Sequence, residues 1–258
     1  MTDERVSVLG FLFENGAADD LAHRVLKAQG LVCVPSAPCL CLALRDSTFA
    51  SALLASRLII PDSAAMVLAW RLRGGARLHR VSGLALLQRL LQAPGFMEPG
   101  VLFFVDPSEQ ESRLNHAYAA RQGIMLEDSH RYVAPQYKSG CVQDRVLLEK
   151  IMAANPRYVV INLGGGVQER LGAWLQQEWT RLNPPQAMPA FICTGAAIAF
   201  LTGAQTRIPR WADRLGLGWL LRCIYDPRRY VPRYWASLPV LWAVVVKGKN
   251  GVSDFRSK

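Results

Sequence analysis

The stretch RYVVINLGGGVQER, residues 157–170, contains the pattern that decides the fold. Its apolar half predicts a buried strand at Tyr158–Leu163, and the residues from Val167 to Glu178 have the pattern of a helix. Between them, Gly164–Gly166 predicts a tight strand-to-helix turn. A strand that leads at once into a helix is the repeating unit of α/β proteins, so this segment indicates a crossover and a parallel sheet.

The same alternation of apolar runs and amphipathic stretches continues outward through most of the chain. The predicted strands are Val6–Phe13, Leu31–Pro35, Arg57–Ile60, Val101–Val105, Ile124–Leu126, Tyr158–Leu163 and Ala190–Cys193. The predicted helices are Ala17–Gln29, Thr48–Ser56, Ala64–Arg73, Gly83–Leu91, Glu109–Gln122, Val142–Ala154 and Val167–Glu178. We therefore predict an α/β fold with a Rossmann-like, mainly parallel sheet and flanking helices.

Composition excludes several classes of protein. The chain has 258 residues, 51% of them hydrophobic and 19% charged, which is unlike disordered or coiled-coil sequences. No apolar run reaches the 18 residues expected of a spanning helix. The first five residues include Asp3 and Glu4, where a signal peptide would be basic. These features favour the cytoplasm or its membrane surface, with cysteines reduced.

Most of the net positive charge lies at the C-terminal end. Residues 207–258 carry eight arginines and three lysines against three aspartates, a net charge of +8, whereas the whole chain has +10. Four of the seven tryptophans lie there as well: Trp211, Trp219, Trp235 and Trp242. We predict an α/β domain over 1–206 and a basic helical appendage over 207–258, in which prolines interrupt any single long helix. Such a segment suits an anionic surface, although a solvated basic face is the simpler alternative.

Ligands of open α/β sheets bind at the carboxyl ends of the strands, and that rule selects several candidates. Asp62 follows a predicted strand and could act as a general base or cap the next helix. The Gly164–Gly166 turn could approach a phosphate or be a plain turn, and Gln168 and Glu169 could face the same cleft. Arg80 could bind a diphosphate or pair with a surface carboxylate. The four histidines are scattered, so no metal site is expected.

At these positions the sequence resembles the WecG/TagA/CpsF family of bacterial glycosyltransferases, from about Ala28 to Tyr234. Ile60-Pro61-Asp62 is similar to the family's Pro-Asp-Gly, and Arg80-Val81-Ser82-Gly83 to its Arg-Val-Thr-Gly. Gly164 with Gln168-Glu169 resembles its Gly-x-Pro-Lys-Gln-Glu loop. The longest resemblance is C-terminal: Gly195-Ala196-Ala197, Phe200, Gly203, Ile208-Pro209-Arg210-Trp211, Leu215-Gly216-Leu217, Trp219-Leu220, Arg222, Asp226-Pro227-Arg228-Arg229 and Arg233-Tyr234.

The resemblance implies a sugar transfer from a nucleotide donor to a lipid-linked acceptor. It implies that Asp62 is the base, with inversion at the donor sugar, that Gln168 lies in the donor pocket and that Arg80 shapes the cleft. It also implies that the appendage docks on the membrane and supplies arginines that bind the diphosphates. Members of the family do not depend on a metal-binding Asp-x-Asp motif, and this sequence has none. The residues expected to bind substrate are Ser36, Arg80, Gly164, Gly165, Gln168, Glu169, Gly195, Ala196, Arg207, Arg214, Arg222, Arg228 and Arg229.

The chain also departs from the family pattern at several polar positions. Val34-Pro35-Ser36 replaces a Thr-x-Asn, and Ser63 replaces the glycine after the aspartate. Gly166-Val167 replaces Pro-Lys, Ala199 replaces an aspartate, and Gly218 replaces a glutamate. Because Asp62, Arg80, Gln168 and the C-terminal arginines remain, we expect a divergent subfamily with another substrate rather than an inactive protein.

We therefore expect a metal-independent hexosyl- or N-acetylhexosaminyltransferase that needs no cofactor beyond its UDP-sugar donor. The expected acceptor is a polyprenyl-diphosphate-linked saccharide, in exopolysaccharide or cell-wall polymer synthesis. Attachment is expected to be peripheral, on the anionic cytoplasmic face of the bacterial inner membrane. No nucleic-acid partner is expected, and a homo-oligomer is possible. The alternative is a non-catalytic subunit of a polysaccharide assembly complex that binds a nucleotide sugar or glycan.

Overall fold

The computed structural model describes residues 4–137, 142–205, 209, 212 and 217–249, apart from the side chains of Arg222, Arg229 and Arg233. The strands are β1 (Arg5–Val8), β2 (Phe11–Glu14), β3 (Gly30–Cys33), β4 (Leu58–Ile59), β5 (Leu102–Asp106), β6 (Arg131–Val133), β7 (Tyr158–Ile161) and β8 (Ala190–Cys193). The helices up to residue 205 are α1 (Ala18–Leu26), α2 (Ala37–Ala43), α3 (Ser47–Leu54), α4 (Ala64–Leu72), α5 (Gly83–Leu91), α6 (Pro94–Met97), α7 (Glu109–Arg121), α8 (Arg145–Ala154), α9 (Val167–Leu182) and α10 (Ala197–Thr202).

Strands β3 to β8 form a six-stranded parallel sheet in the order β4-β3-β8-β7-β5-β6. Apart from the outer strand β6, these strands are short and largely apolar, because helices cover both faces of the sheet. From β5 the chain crosses outward to β6, whereas from β7 it crosses in the opposite direction to β8. The predicted α/β fold with a parallel sheet and flanking helices is confirmed.

Alternate residues of the strands enter separate cores on the two faces of the sheet. Phe103 and Val159 join apolar side chains of α2, α3, α4, α8 and α9 on one face. Phe104 and Val160 join those of α1, α5, α6 and α10 on the other face. Side chains alternate between the two faces of a strand, and helices cover both faces. Each apolar side chain therefore packs against a helix.

The prediction of one strand at Val6–Phe13 is wrong, because the chain turns back within it. β1 and β2 form an antiparallel hairpin in which Val8 pairs with Phe11. The two turn residues, Leu9 and Gly10, have positive φ values of 56° and 82°. Such two-residue turns usually contain Asn-Gly or Asp-Gly, so Leu-Gly inside an apolar run carried no turn signal.

The prediction of a strand at Ile124–Leu126 is also wrong. The outer strand is β6, whose Arg131 pairs with Phe104. Ile124 is buried because it closes the end of α7, where its amide donates to the carbonyl of Ala119. Helix α2 was not predicted, although Pro38 in its first turn is typical of a helix start.

Three short helices follow in the C-terminal region: α11 (Gly218–Tyr225), α12 (Pro227–Trp235) and α13 (Leu238–Lys247). Pro227 and Pro239 lie in first turns, where proline is tolerated, but Pro232 lies inside α12. No single helix in the described ranges is long and apolar enough to cross a membrane. The bent pair α2 and α3 passes that test only when taken together across a 115° bend.

Helix α13 packs into the core of the α/β fold. Val240, Ala243 and Val244 are buried on α4 and α2. The Arg73 guanidinium donates to the carbonyls of Val244 and Val245 at the end of α13. The hairpin turn then pairs with the following residues, since the Leu9 amide donates to the Gly248 carbonyl at 2.7 Å. The boundary at 206/207 stays a prediction, but this last helix is anchored on the first 206 residues.

Candidate active site

The site is built around Asp62, which lies beyond the carboxyl end of β4. The hydroxyl of Ser63 accepts the Met66 amide at 3.2 Å, so Ser63 is the residue that caps α4. The alternative in which Asp62 caps this helix is therefore wrong. This capping role accounts for a serine at the position where the family pattern has glycine, because a serine N-cap stabilises a helix by about 1 kcal/mol.

Arg80 is joined to Asp62 by two contacts. Its Nε donates to the Asp62 carbonyl oxygen at 2.7 Å, and its Nη2 lies 3.5 Å from the carboxylate Oδ1. Both side chains remain partly exposed, at 20% for Arg80 and 26% for Asp62. Arg80 was predicted either to bind a diphosphate or to pair with a surface carboxylate. The structure shows a pair with a carboxylate, and that carboxylate belongs to the candidate base, Asp62. An arginine in this position orients the carboxylate and places positive charge beside it.

The segment that carries Arg80 is held against the loop after β8. A Cβ on Gly83 would lie 2.7 Å from the carbonyl oxygen of Thr194, so only glycine allows this approach. The Val81 amide also donates to the Pro61 carbonyl at 3.0 Å. Asp62, Arg80 and the loop at Gly195 are thus brought to one edge of the sheet.

The glycine turn after β7 exposes two residues and buries the third. Gly164 and Gly165 are exposed, whereas Gly166 is buried with φ at +94°. The Gly166 amide donates to the Glu169 carboxylate at 2.6 Å, and its carbonyl accepts from Arg170 at 2.8 Å. Only the backbone of Gly164 and Gly165 is therefore presented to a ligand at this turn.

Gln168 and Glu169 lie beneath the turn. The Gln168 Oε1 accepts the Gly195 amide at 3.0 Å, and its Nε2 donates to Glu169 at 3.1 Å. Both side chains are buried, and burial raises the pKa of Glu169 above its ordinary value. In this geometry Gln168 joins the loop after β7 to the loop after β8, and Glu169 caps its own helix.

The remaining candidates are distributed as follows. Ser36 is half-buried at the start of α2, with its hydroxyl 3.4 Å from the Cys39 sulfur, and Ala196 is half-buried before α10. Arg228 is exposed on α12. Arg207 and Arg214 lie outside the described residues, as do the side chains of Arg222 and Arg229.

The strand order explains why these residues meet. Asp62, Ser36, Gly195 and Gly164 follow β4, β3, β8 and β7, which are four consecutive strands of the sheet. Their carboxyl ends form one continuous edge, which is where open α/β sheets bind ligands. Within the described ranges no group of three or more His, Cys, Asp or Glu side chains could hold a metal ion.

Sequence reasoning missed one polar cluster at the same edge. Asp106 ends β5 and contacts Asn162, which follows β7. An aspartate at the end of a strongly apolar strand was the available signal, and its partner is 56 residues away.

The comparisons with known proteins agree with this geometry. The family model described as the WecG/TagA/CpsF glycosyl transferase family matches residues 6–253, nearly the whole chain. No curated protein matches the chain. The match extends from the hairpin to beyond α13, and so covers every candidate residue above. This chain therefore belongs to the WecG/TagA/CpsF family of glycosyltransferases, whose role is in polysaccharide synthesis.

Proposed function

We propose that this glycosyltransferase moves a hexosyl or N-acetylhexosaminyl group from a UDP-sugar to a polyprenyl-diphosphate-linked saccharide, with inversion and without a metal. The observation that carries the proposal is the Asp62–Arg80 pair. It lies at the edge formed by β4, β3, β8 and β7, its carboxylate is partly exposed, and the N-cap of α4 is the neighbouring Ser63. Partial exposure leaves a carboxylate able to reach a substrate hydroxyl.

In the proposed step, Asp62 accepts the proton of the acceptor hydroxyl. The acceptor oxygen bonds to C1 of the donor sugar as the bond from C1 to the β-phosphate oxygen breaks. The electron pair of that bond leaves with UDP. Exposed backbone at Gly164 and Gly165, together with positive side chains such as Arg80 at the same edge of the sheet, would stabilise the charge on the leaving diphosphate.

The turn provides a test with little risk to folding. Gly164→Val should weaken UDP binding about tenfold, because a side chain there blocks a phosphate from the backbone. Its thermal midpoint should stay near that of the parent, since a Cβ at Gly164 meets no atom within 4 Å and its φ is not positive. Calorimetric titration with UDP measures the effect.

Gly95→Val in α6 is the matched control, because its Cβ would meet only the Glu98 Oε1, at 4.0 Å, and its φ is not positive. Parental affinity in Gly164→Val would support the plain-turn alternative.

We also propose peripheral attachment to an anionic membrane, at the cytoplasmic face of the bacterial inner membrane, through the C-terminal helices. Trp235 and Trp242 are 73% and 65% exposed, and Val245 and Val246 on α13 are half exposed. Arg228, Lys247 and Lys249 are exposed in the same region. Exposed tryptophans beside basic residues suit the interface of an anionic bilayer, where each Lys or Arg contributes about 1 kcal/mol.

The whole proposal is tested with a panel of nucleotides and a transfer assay. UDP and UDP-sugars should raise the thermal midpoint of the protein, and GDP or ADP should not. With the stabilising donor and a polyprenyl-diphosphate saccharide, product should form in the presence of EDTA with inverted anomeric configuration. Donor binding without transfer to any acceptor would support the alternative, a non-catalytic binding subunit. Stabilisation only by other nucleotides would contradict a UDP-sugar donor.

A further inference from the structure

A buried polar cluster lies between the carboxyl ends of β5 and β7. The carboxylate of Asp106, which is fully buried, accepts the side-chain amides of Asn115 at 2.7 Å and Asn162 at 2.8 Å on its Oδ1. Asn115 belongs to α7, and Asn162 directly follows β7. One carboxylate thus joins two strand ends and the helix above them.

The cluster has more hydrogen-bond acceptors than donors. In the part of the chain that the structure describes, Asp106 Oδ2, Asn115 Oδ1 and Asn162 Oδ1 are buried without a hydrogen-bond partner, while the Ser112 hydroxyl lies beside Asp106. The first three atoms only accept, so a group that donates is what they lack. Leaving such atoms unpaired is costly, and burial also raises the pKa of Asp106. Because the folded state disfavours ionisation of Asp106, the free-energy cost of its charge is present at neutral pH and absent well below the pKa of an unfolded aspartate.

The position of the cluster in the sheet has a physical meaning. The chain leaves β5 and β7 in opposite directions, so their carboxyl ends flank a crevice at a topological switch point. Open α/β sheets bind their ligands in such crevices. The edge that carries Asp62, Ser36, Gly195 and Gly164 ends at β7, and β5 is the next strand.

The chemistry of the cluster selects one part of a nucleotide. Acceptor oxygens repel a phosphate, so a diphosphate belongs over Gly164 and Gly165, which are exposed. Asn162 precedes this turn by two residues, and its backbone N–H donates to the Val105 carbonyl at 2.8 Å. The group adjacent to the diphosphate in a nucleotide is the ribose, whose hydroxyls are donors, and carboxylates bind ribose hydroxyls in other α/β sheets.

We propose that the ribose of the donor nucleotide lies over the crevice between β5 and β7. One of its hydroxyls donates, directly or through one ordered water, to the acceptors of Asp106 and Asn162. This inference rests on the proposed function, because it assumes a nucleoside diphosphate donor.

The test compares UDP with 2′-deoxy-UDP and 3′-deoxy-UDP by calorimetric titration of the full-length protein and of Asp106→Asn. The parent should bind UDP about ten- to a hundredfold more tightly than at least one deoxy analogue. Asp106→Asn should bind UDP as weakly as that analogue and lose the discrimination. Its thermal midpoint should not fall, because the amide keeps one acceptor and supplies a donor to the unpaired oxygens. A purely structural role of Asp106 would leave the discrimination unchanged.

Glu14→Gln is the matched control. Glu14 is a buried carboxylate on the hairpin, paired with Arg5 and Arg24, so its loss should lower the midpoint and leave the discrimination intact. Hydrogen exchange of the parent needs no variant: UDP should protect both 107–111 and 163–166.

Equal affinity of the parent for UDP and both deoxy analogues, retained discrimination in Asp106→Asn, or protection confined to 163–166 would each overturn the inference while leaving the proposed function in place. A parent that binds no uridine nucleotide would overturn both.

Discussion

Asp62→Asn is expected to lower the turnover of sugar transfer by about 10²–10⁴-fold, the usual effect of removing a general base. The asparagine keeps the shape of the side chain but no longer accepts the proton of the acceptor hydroxyl. Donor affinity and thermal midpoint should change little, because Ser63, not Asp62, caps α4. Steady-state kinetics with saturating donor and acceptor, together with UDP titration, separate these effects.

Glu178→Gln is the matched control for this variant. The Glu178 carboxylate also pairs with an arginine, Arg181, at 2.6 Å, but it lies near the end of α9, at the opposite edge of the sheet. Its turnover should equal that of the parent. If Asp62→Asn keeps near-normal turnover, Asp62 is not the base, and the proposed mechanism is wrong.

The joint substitution Trp235→Ser and Trp242→Ser is expected to reduce partitioning onto anionic vesicles by about 10²-fold. Each ring that leaves the interface removes apolar area worth about 1–2 kcal/mol of binding free energy. Because both rings are exposed, the thermal midpoint should be unchanged. Co-sedimentation with vesicles of anionic or neutral lipid, at low and high salt, measures the partitioning, and high salt should weaken it.

The control for this pair is Met125→Ser with Val146→Ser, since both side chains are exposed but lie outside the C-terminal helices. The full-length chain is used throughout, because α13 contributes buried residues to the core and a truncation at 206 would expose it. Equal sedimentation with neutral and anionic lipid, or unchanged partitioning of the tryptophan variant, would contradict membrane docking by these helices. A concentration-dependent dimer lost in the same variant would instead indicate that a second copy covers this surface.

The elements of the fold were predictable where the signal is local. Gly83–Leu91 and Ala190–Cys193 have the bounds predicted for them, because an amphipathic repeat or a short apolar run lies within consecutive residues. The placement of candidate residues at strand ends was equally local, as for Asp62 and the glycine turn. The family resemblance then added roles that spacing alone does not show.

The failures occur where distant segments decide the outcome. β6 is a strand because Arg131–Val133 pairs with β5, and nothing in its own three residues requires it. Glu169 could have faced the cleft, but its carboxylate is buried, because it accepts the Gly166 amide and lies beside Cys39 of the distant helix α2.

The sequence by itself determined the alternation of strands and helices, the basic character of the C-terminal region and the residue types at the carboxyl edge. Each of these is a property of neighbouring residues and of their periodicity. Only the tertiary structure decided that Arg80 pairs with Asp62, that Gln168 joins two loops, and that Asp106 meets Asn162. Those contacts depend on strand order, and strand order is set by packing between segments that are tens of residues apart, for which no local pattern exists.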